Sequence, residues 1–303
     1  MKRASSGAFP PVPSQITIPV YAVTVAQTGE TQIPASTPFY YAAISAIWVH
    51  FRVDPKVAQA LLPPGLEVAV FDGAALASVH FMNALAQYGI GSPGNATTLP
   101  SPGGSVFNET EINIVALPSA RAAVAPTLTA DQFLAGGDQT KLLGNFRVWV
   151  ACDDAVAVAA GKALYFENKI LTSYGFNIPA MNNAGQSEYS WTCFENLTTT
   201  EVYSAKVDLA GLAALPANVS EWIDYSFDAE AQRPVASRRN YFGIFSSYDI
   251  SNAQSAVAIA WGTSTLQMLK DMQALFGTAS PIAVQTFASP TVIAEAGPYY
   301  ADV

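Results

Sequence analysis

Short runs rich in aromatic residues, valine and isoleucine alternate with turn-forming residues along most of the chain. From Pro38 onward the runs are AISAIWVHFRV, LASVHFMNAL, EINIVAL, NFRVWVAC, AVAVAAGKALYFENKIL, SEYSWTCFENL, TEVYSAKVDL and RRNYFGIFSSYDI. Runs of this length and composition, separated by clusters of glycine, proline, asparagine and serine, are typical of β-strands. The pattern therefore predicts a strand-rich protein, with AVAVAAGKALYFENKIL counted among the strands.

Two segments follow the period of a helix instead. DPKVAQALLPPG begins with Asp54 as a candidate capping residue and has Pro55 in its first turn, which is a favourable way to start a helix. STLQMLKDMQALFG has apolar residues at helical spacing and ends at Gly277. With the strands, these two helices predict an α+β fold dominated by antiparallel sheet.

The beginning of the chain differs from the rest. Residues 1–37 are rich in proline, serine, threonine and glutamine and have no sustained periodicity, which predicts an N-terminal arm followed by a single domain, residues 38–303. GSPGNATTLPSPGGS (91–105) and ADQFLAGGDQTK (130–141) are predicted to be loops, and either loop is a candidate lid or contact segment.

The composition indicates extensive burial. Half of the residues are hydrophobic and 12% are charged, against about a quarter charged in an average globular domain. Much of the chain must therefore lie in a core or in subunit contacts, so we expect a homo-oligomer. The net charge of −9, with 14 scattered lysines and arginines, argues against a nucleic-acid partner, because binding phosphates requires clustered cations.

Targeting signals are weak. The N-terminus MKRASSGAFPPVPSQ lacks the apolar core of a signal peptide. The longest apolar run, PFYYAAISAIWVHF, is too short to cross a bilayer and ends at Arg52. These features predict a cytoplasmic protein without a membrane partner. Sequons for N-glycosylation, which matter only in a secreted protein, count slightly against this localisation; they lie at Asn95, Asn108, Asn196 and Asn218.

Several kinds of catalytic site are disfavoured. His50 and His80 are the two histidines of the chain, and each lies in an apolar run without a second metal ligand at usable spacing. Neither the G-x-S-x-G motif of serine hydrolases nor a phosphate-binding glycine loop between a strand and a helix occurs. Cys152 and Cys193 are predicted to be structural thiols. We therefore expect no metal and no organic cofactor.

Lys169 is the strongest remaining candidate for chemistry. In GKALYFENKIL it stands among Leu164, Tyr165, Phe166, Ile170 and Leu171. Lowering a lysine pKa from about 10.4 to 7 requires about 4 to 5 kcal/mol of preference for the neutral amine, which burial among apolar groups can supply. The residues leave two interpretations open: a neutral, nucleophilic amine, or an edge lysine whose ammonium reaches solvent.

The same segment resembles the active-site motif of the acetoacetate decarboxylase family, in which Gly-Arg-Glu is followed, several residues later, by Pro-Lys-Lys. FRVDPKVAQALLPPGLEV, FNETEINIVA, AWGTSTLQMLKDMQ and PIAVQTFASPTVIAEAGPYYADV resemble other segments of that family in the same order. The resemblance extends from Tyr41 to Tyr300, with extra residues around 118–145.

This resemblance implies a closed antiparallel β-barrel with a few flanking helices, and a small-molecule carbonyl substrate. It places Lys169 at the Schiff-base lysine of the family and Glu109 at a glutamate of the active site. In acetoacetate decarboxylase itself the lysine is activated by a lowered pKa, and the resemblance carries that mechanism over to Lys169.

The chain also departs from the family pattern. Ile170 replaces the second lysine, Lys162 the arginine and Ala163 the glutamate of the motif. His80 falls near a second active-site carboxylate, and no arginine lies near Ile44, where the family carries its substrate-binding arginine. A small β-keto acid therefore lacks its usual anchor.

Three functional hypotheses follow. The leading one is a lysine Schiff-base lyase that acts on a keto acid or an apolar carbonyl compound by decarboxylation, aldol or retro-aldol reaction, or dehydration. The alternatives are a non-catalytic barrel that binds an apolar small molecule, and an enzyme that uses His80 and Glu109 as acid and base without a covalent step. Aromatic residues that could line a substrate pocket, or simply belong to the core, are Tyr165, Phe166, Trp48 and Trp149.

Overall fold

A computed structural model describes residues 39–88, 103–179, 186–217, 221–240, 244–288, 292–295 and 299–302. The predicted arm, residues 1–37, lies outside this part of the chain, so the arm and its boundary stay predictions. Most of the predicted loop 91–105 also lies outside it.

The described part contains seventeen strands and four α-helices. The strands are β1 (Phe39–Val53), β2 (Leu66–Val68), β3 (Val70–Phe71), β4 (Ala74–Tyr88), β5 (Gly103–Pro118), β6 (Gly144–Cys152), β7 (Lys169–Asn177), β8 (Glu188–Glu195), β9 (Glu201–Asp208), β10 (Leu215–Ala217), β11 (Glu221–Asp228), β12 (Arg233–Asn240), β13 (Ile244–Asp249), β14 (Val257–Trp261), β15 (Ser280–Ala288), β16 (Val292–Glu295) and β17 (Tyr299–Tyr300). The helices are α1 (Pro55–Ala60), α2 (Ala130–Leu134), α3 (Ala155–Tyr165) and α4 (Gln267–Phe276).

Most strand pairs are antiparallel. Strands β4, β5 and β6 follow β1 in order, and β15 pairs with the other edge of β1. Strand β6 pairs in parallel with both β7 and β11. Strands β7, β8, β9 and β14 continue as an antiparallel series. The predicted α+β architecture dominated by antiparallel sheet is confirmed, whereas its closure into a barrel stays a prediction.

Both predicted helices are confirmed. The side chain of Asp54 accepts a hydrogen bond of 2.7 Å from the backbone amide of Lys56 and so caps α1. Helix α4 ends at Gly277, and its apolar side chains, Met268, Leu269, Met272, Leu275 and Phe276, are buried. Burying one such side chain contributes about 1.5 to 3 kcal/mol, so packing of the apolar face accounts for the stability of this helix. In the described part of the chain, no helix is both long and apolar enough to span a bilayer.

The interpretation of AVAVAAGKALYFENKIL as one strand was wrong. Residues Ala155–Tyr165 form helix α3, and the strand begins only at Lys169. The alternation of alanine and valine imitates a strand, but alanine is the best helix former and the Asp154 side chain caps the helix by accepting from the Ala157 amide at 2.7 Å. The loop predicted for ADQFLAGGDQTK likewise contains the short helix α2, which begins with a capping box of Thr129 and Gln132.

Helix α3 and strand β7 are joined by a tight connection. Phe166 adopts a left-handed conformation (φ 54°) at the helix end, and the amide of Glu167 donates to the carbonyl of Gly161 at 3.2 Å, as is common where helices terminate. Gly161 faces the strand. A Cβ at this position would overlap the Glu167 carboxylate and lie 2.7 Å from Lys169 Cδ, so only glycine allows this approach.

We expect Gly161→Ala to destabilise the protein, because overpacking a buried contact costs about 1 to 3 kcal/mol and exceeds the gain in helix propensity of about 0.5 to 1 kcal/mol. Urea unfolding followed by circular dichroism measures the difference. Lys162→Ala, at the neighbouring exposed position of the same helix, is the control and should change the free energy of unfolding by less than about 0.5 kcal/mol. A Gly161→Ala protein as stable as the wild type would contradict the described packing.

Candidate active site

One row of side chains crosses five neighbouring strands. The strand register places Trp48 (β1) opposite His80 (β4), His80 opposite Glu111 (β5), Glu111 opposite Val150 (β6) and Val150 opposite Lys169 (β7). Directly opposed residues point to the same side of a sheet. The fold therefore brings His80 and Lys169, which are far apart in sequence, onto one face.

Lys169 is enclosed by carboxylates. Its side chain is buried, and its Nζ forms an ion pair with Glu109 Oε2 and lies 3.2 Å from Glu167 Oε2. Glu109 shares the face of Glu111 because the two residues are two positions apart on β5. Glu167 lies two positions before Lys169, in the connection between α3 and β7, and its amide donates to the Gly161 carbonyl of α3. The structure thus brings Lys169 and Glu109, both predicted from the sequence, into direct contact.

The ion pairs continue away from Lys169. Arg147 NH1 donates to Glu167 Oε1 at 2.5 Å and lies 4.0 Å from Asp224 Oδ2. Arg239 contacts the same oxygen of Asp224 through Nε at 2.9 Å and Glu111 Oε1 through NH1 at 2.9 Å. We call Lys169, Glu109, Glu167, Arg147, Asp224, Arg239 and Glu111 the buried ionic cluster. All seven residues are at most 6% exposed.

His80 lies at the far end of this cluster. Burial lowers its pKa despite the nearby Glu111 carboxylate, so the imidazole is neutral at neutral pH. Its Nδ1 lies 3.1 Å from the Asn113 amide nitrogen and 3.3 Å from Glu111 Oε2, and its Nε2 lies 2.8 Å from Ser78 Oγ. Two neutral tautomers fit these contacts: Nδ1–H donates to Glu111 while Nε2 accepts from Ser78, or Nδ1 accepts from Asn113 while Nε2–H donates to Ser78. The ring also stacks on Trp48, with centroids 4.6 Å apart.

The environment of Lys169 differs from the expected apolar one. Burial by itself lowers the pKa of the Lys169 ammonium, but the carboxylates of Glu109 and Glu167 outweigh burial and raise the pKa above its ordinary value. The expectation of a neutral amine was therefore wrong for the resting protein. The prediction failed because the apolar residues next to Lys169 in the sequence do not face Nζ, whereas the carboxylates of Glu109 and Glu167 do.

The two glutamates beside Lys169 differ in their affinity for protons. Burial raises the pKa of Glu109, and the Glu111 and Glu167 charges add to this effect, although Lys169 opposes it. Burial also tends to raise the pKa of Glu167, but Arg147 and Lys169 together lower it. Glu109 is therefore the better proton acceptor, whereas Glu167 stays ionised to lower pH.

The four aromatic candidates have different positions. Trp48 packs on His80 at the site. Tyr165 is buried beside Phe107 and Cys152, and its carbonyl accepts a hydrogen bond from Ser226 at 2.5 Å. Phe166 is half-buried at the end of α3.

Trp149 is not part of this face. It lies in a row with Val49, Val79 and Ile112 on the opposite side of the sheet. Its Nε1 donates to Asp271 of α4 at 2.8 Å. The structure therefore does not bring Trp149 to Lys169, because consecutive strand residues point to opposite faces.

Sequence analysis missed Glu167, Arg147, Asp224 and Arg239. A usable signal was present, since Arg147 interrupts NFRVWVAC and Asp224 interrupts WIDYSF, and a charged residue inside an apolar strand of a weakly charged chain indicates a paired, buried ion. The pairing itself depends on contacts between strands that are distant in sequence.

No protein-family model and no curated protein sequence matches the chain. Solved structures do match. MppR, an enduracididine biosynthesis enzyme complexed with the condensation product of pyruvate and imidazole 4-carboxaldehyde, is 18% identical, with a TM-score of 0.57 over 93% of this chain and 95% of that chain.

Two further matches are an acetoacetate decarboxylase-like enzyme from Sphingomonas wittichii RW1 and acetoacetate decarboxylase from Legionella pneumophila. The first is 16% identical, with a TM-score of 0.53 over 88% of this chain and 92% of that chain. The second is 9% identical, with a TM-score of 0.51 over 92% of this chain and 93% of that chain. Identities this low establish the fold alone: the chain has the same fold as acetoacetate decarboxylase and MppR.

Proposed function

We propose that the protein is a lyase that forms a Schiff base between Lys169 and a small carbonyl compound. The observation that carries this proposal is the burial of Lys169 in direct contact with Glu109, a carboxylate whose pKa is raised. The likeness of the fold to MppR and acetoacetate decarboxylase supports it.

Activation of the amine begins with a proton transfer. Lys169 gives one proton to Glu109, so an ammonium and a carboxylate become an amine and a carboxylic acid. The transfer leaves the net charge of the site unchanged, which avoids exposing a new uncompensated charge in a buried region. Glu167 stays ionised through its contact with Arg147 and keeps the amine in place.

The amine then attacks the carbonyl carbon, a C–N bond forms and the carbonyl π bond breaks. A proton moves from nitrogen to oxygen to give a carbinolamine. Glu109 returns its proton to the departing hydroxyl, water leaves, and a positively charged iminium remains on Lys169. The iminium occupies the place of the ammonium, so Glu167 stabilises it in the same way.

The iminium withdraws an electron pair from an adjacent C–H or C–C bond and becomes an enamine. For C–H cleavage, the Glu109 carboxylate accepts the proton. Reprotonation of the enamine and addition of water reverse these steps and release the product and Lys169. Decarboxylation, aldol chemistry and dehydration share this sequence up to the bond that breaks.

We further propose that the sheet closes into a barrel around this site. The support is a series of pairings that runs through β1, β4, β5, β6, β11, β12 and β16, together with a pairing of β16 with β1. Burial of all seven residues of the ionic cluster agrees with a position inside such a barrel.

The two alternatives have less support. A binder of apolar ligands does not need seven buried charged residues on the face that holds Lys169. An acid–base enzyme that uses His80 needs a ring nitrogen free to exchange a proton with substrate, whereas both nitrogens of His80 lie within hydrogen-bond distance of Ser78 and Asn113.

Borohydride reduction in the presence of small ketones and aldehydes should label Lys169 irreversibly, and peptide mass spectrometry identifies the labelled residue. Lys169→Arg should lose the label while keeping the cation between the two glutamates. Lys162→Arg, which changes an exposed lysine of the same segment, should label like the wild type. Labelling of Lys162, or equal labelling of Lys169→Arg, would disprove an imine at Lys169.

Glu109→Gln should lower the pKa of Lys169, because it removes the largest of the influences that raise that pKa. The wild-type ammonium should persist above pH 10.5, and the variant should lose its proton at lower pH. NMR titration of the Lys169 Cε resonance, which is assigned by its loss in Lys169→Arg, measures the pKa of Lys169 in the wild type and in Glu109→Gln.

Glu109→Gln should also form the imine at least tenfold more slowly than the wild type at pH 7.5, since the internal proton acceptor is gone. Faster imine formation in the variant would show that Glu109 only suppresses the amine.

A further inference from the structure

We infer that the Lys169 site takes an uncharged carbonyl compound and discriminates against the anions of α- and β-keto acids. This inference rests on the proposed function, since it concerns the substrate of the same lysine. It follows from the way in which the buried charges already satisfy one another.

The cations of the site are all engaged by carboxylates of the protein. In the described part of the chain, the buried lysines and arginines are Lys169, Arg147 and Arg239. Arg147 contacts Glu167 and approaches Asp224, and Arg239 contacts Asp224 and Glu111. Every other lysine or arginine that the structure describes is exposed or half-exposed. A substrate carboxylate would therefore have to displace a protein carboxylate to gain a cation.

The charges of the cluster also match in number. Three cations face three carboxylates. Burial tends to raise the pKa values of Glu167 and Glu111, but both are lowered, Glu167 mainly by Arg147 and Glu111 mainly by Arg239, and Asp224 lies beside both arginines. The fourth carboxylate, Glu109, is the one whose pKa is raised. With Glu109 protonated the cluster is neutral, and with Glu109 ionised it carries one negative charge. His80, which is neutral, adds no positive charge. In neither state does the site offer an excess positive charge to an anion.

A neutral substrate preserves this balance through the whole reaction, because an iminium replaces an ammonium. A keto acid adds a negative charge that no group of the buried ionic cluster compensates, and a buried uncompensated charge is costly. Repulsion between like charges a few ångströms apart in a partly buried site lowers affinity by about tenfold or more. Aldol-type cleavage or dehydration of uncharged carbonyl compounds is therefore the branch of the proposed chemistry that the site favours over decarboxylation.

Matched pairs of ligands test the inference on the wild-type protein. Pyruvate is compared with pyruvamide, and acetoacetate with acetoacetamide, at pH 7.5, where both acids are ionised. The measured quantity is the concentration that gives half-maximal borohydride labelling of Lys169. The same concentration is measured for labelling of the free amine N-acetyl-lysine amide by each compound, and the value for Lys169 is divided by it. This division corrects for the different intrinsic reactivities of the acid and its amide. Each amide should label Lys169 at a concentration at least tenfold lower than that of its acid.

The possible outcomes separate the two proposals. Equal or stronger labelling of Lys169 by the acids would overturn the inference and leave the Schiff-base function intact. Labelling of Lys169 by neither member of a pair, nor by other small ketones or aldehydes, would remove the proposed function and the inference with it.

A variant tests the cause of the discrimination. Glu111→Gln removes one negative charge, while Arg239 keeps its contact with Asp224. We define the acid-to-amide ratio as the half-maximal labelling concentration of an acid divided by that of its amide. This ratio should be at least fivefold lower in Glu111→Gln than in the wild type. Glu67→Gln makes the same change of charge at an exposed position of β2 and should leave the ratio unchanged. If Glu111→Gln folds but leaves the ratio unchanged, charge balance is not the cause; the wild-type comparison decides the inference if the variant does not fold.

Discussion

The contact of the Lys169 ammonium with Glu109 and Glu167 is the interaction on which the rest of the site depends. Removing charges from water is expensive, and in a buried group this cost is offset only when each charge has well-placed partners. Glu167 therefore requires Arg147, which reaches towards Asp224, which in turn holds Arg239. One buried amine thus accounts for charged residues on five different parts of the fold.

In the proposed mechanism, this arrangement changes how the lysine is activated. An amine surrounded by apolar groups is neutral because its ammonium is poorly solvated. Lys169 is instead paired with two carboxylates, so the proposed attack on a carbonyl requires it first to pass a proton to one of them. The difference in pKa between Glu109, raised, and Glu167, lowered, gives two similar carboxylates different tasks. In the proposed mechanism, Glu109 moves a proton, and Glu167 keeps a positive charge in position before and after the imine forms.

The sequence predicted those features that depend on local chemistry. Asp54 with Pro55, and the apolar spacing that ends at Gly277, defined α1 and α4 correctly because capping and helical periodicity act within a few residues. The same local reasoning failed at α3, where alternating alanine and valine imitate a strand. Family resemblance selected Lys169 and Glu109. The partners Arg147 and Arg239 were missed, because strand register between distant segments decides which charges meet.

The joint between α3 and β7 links the fold to the chemistry. Phe166 takes a left-handed conformation that is uncommon for a bulky residue, and this turn places Glu167 and Lys169 at the end of the helix. Gly161 then allows the helix to lie directly against both side chains. The two glutamates approach Lys169 from different elements, Glu109 from β5 and Glu167 from this joint. The packing of helix α3 against the sheet therefore maintains both contacts on which the proposed proton transfer depends.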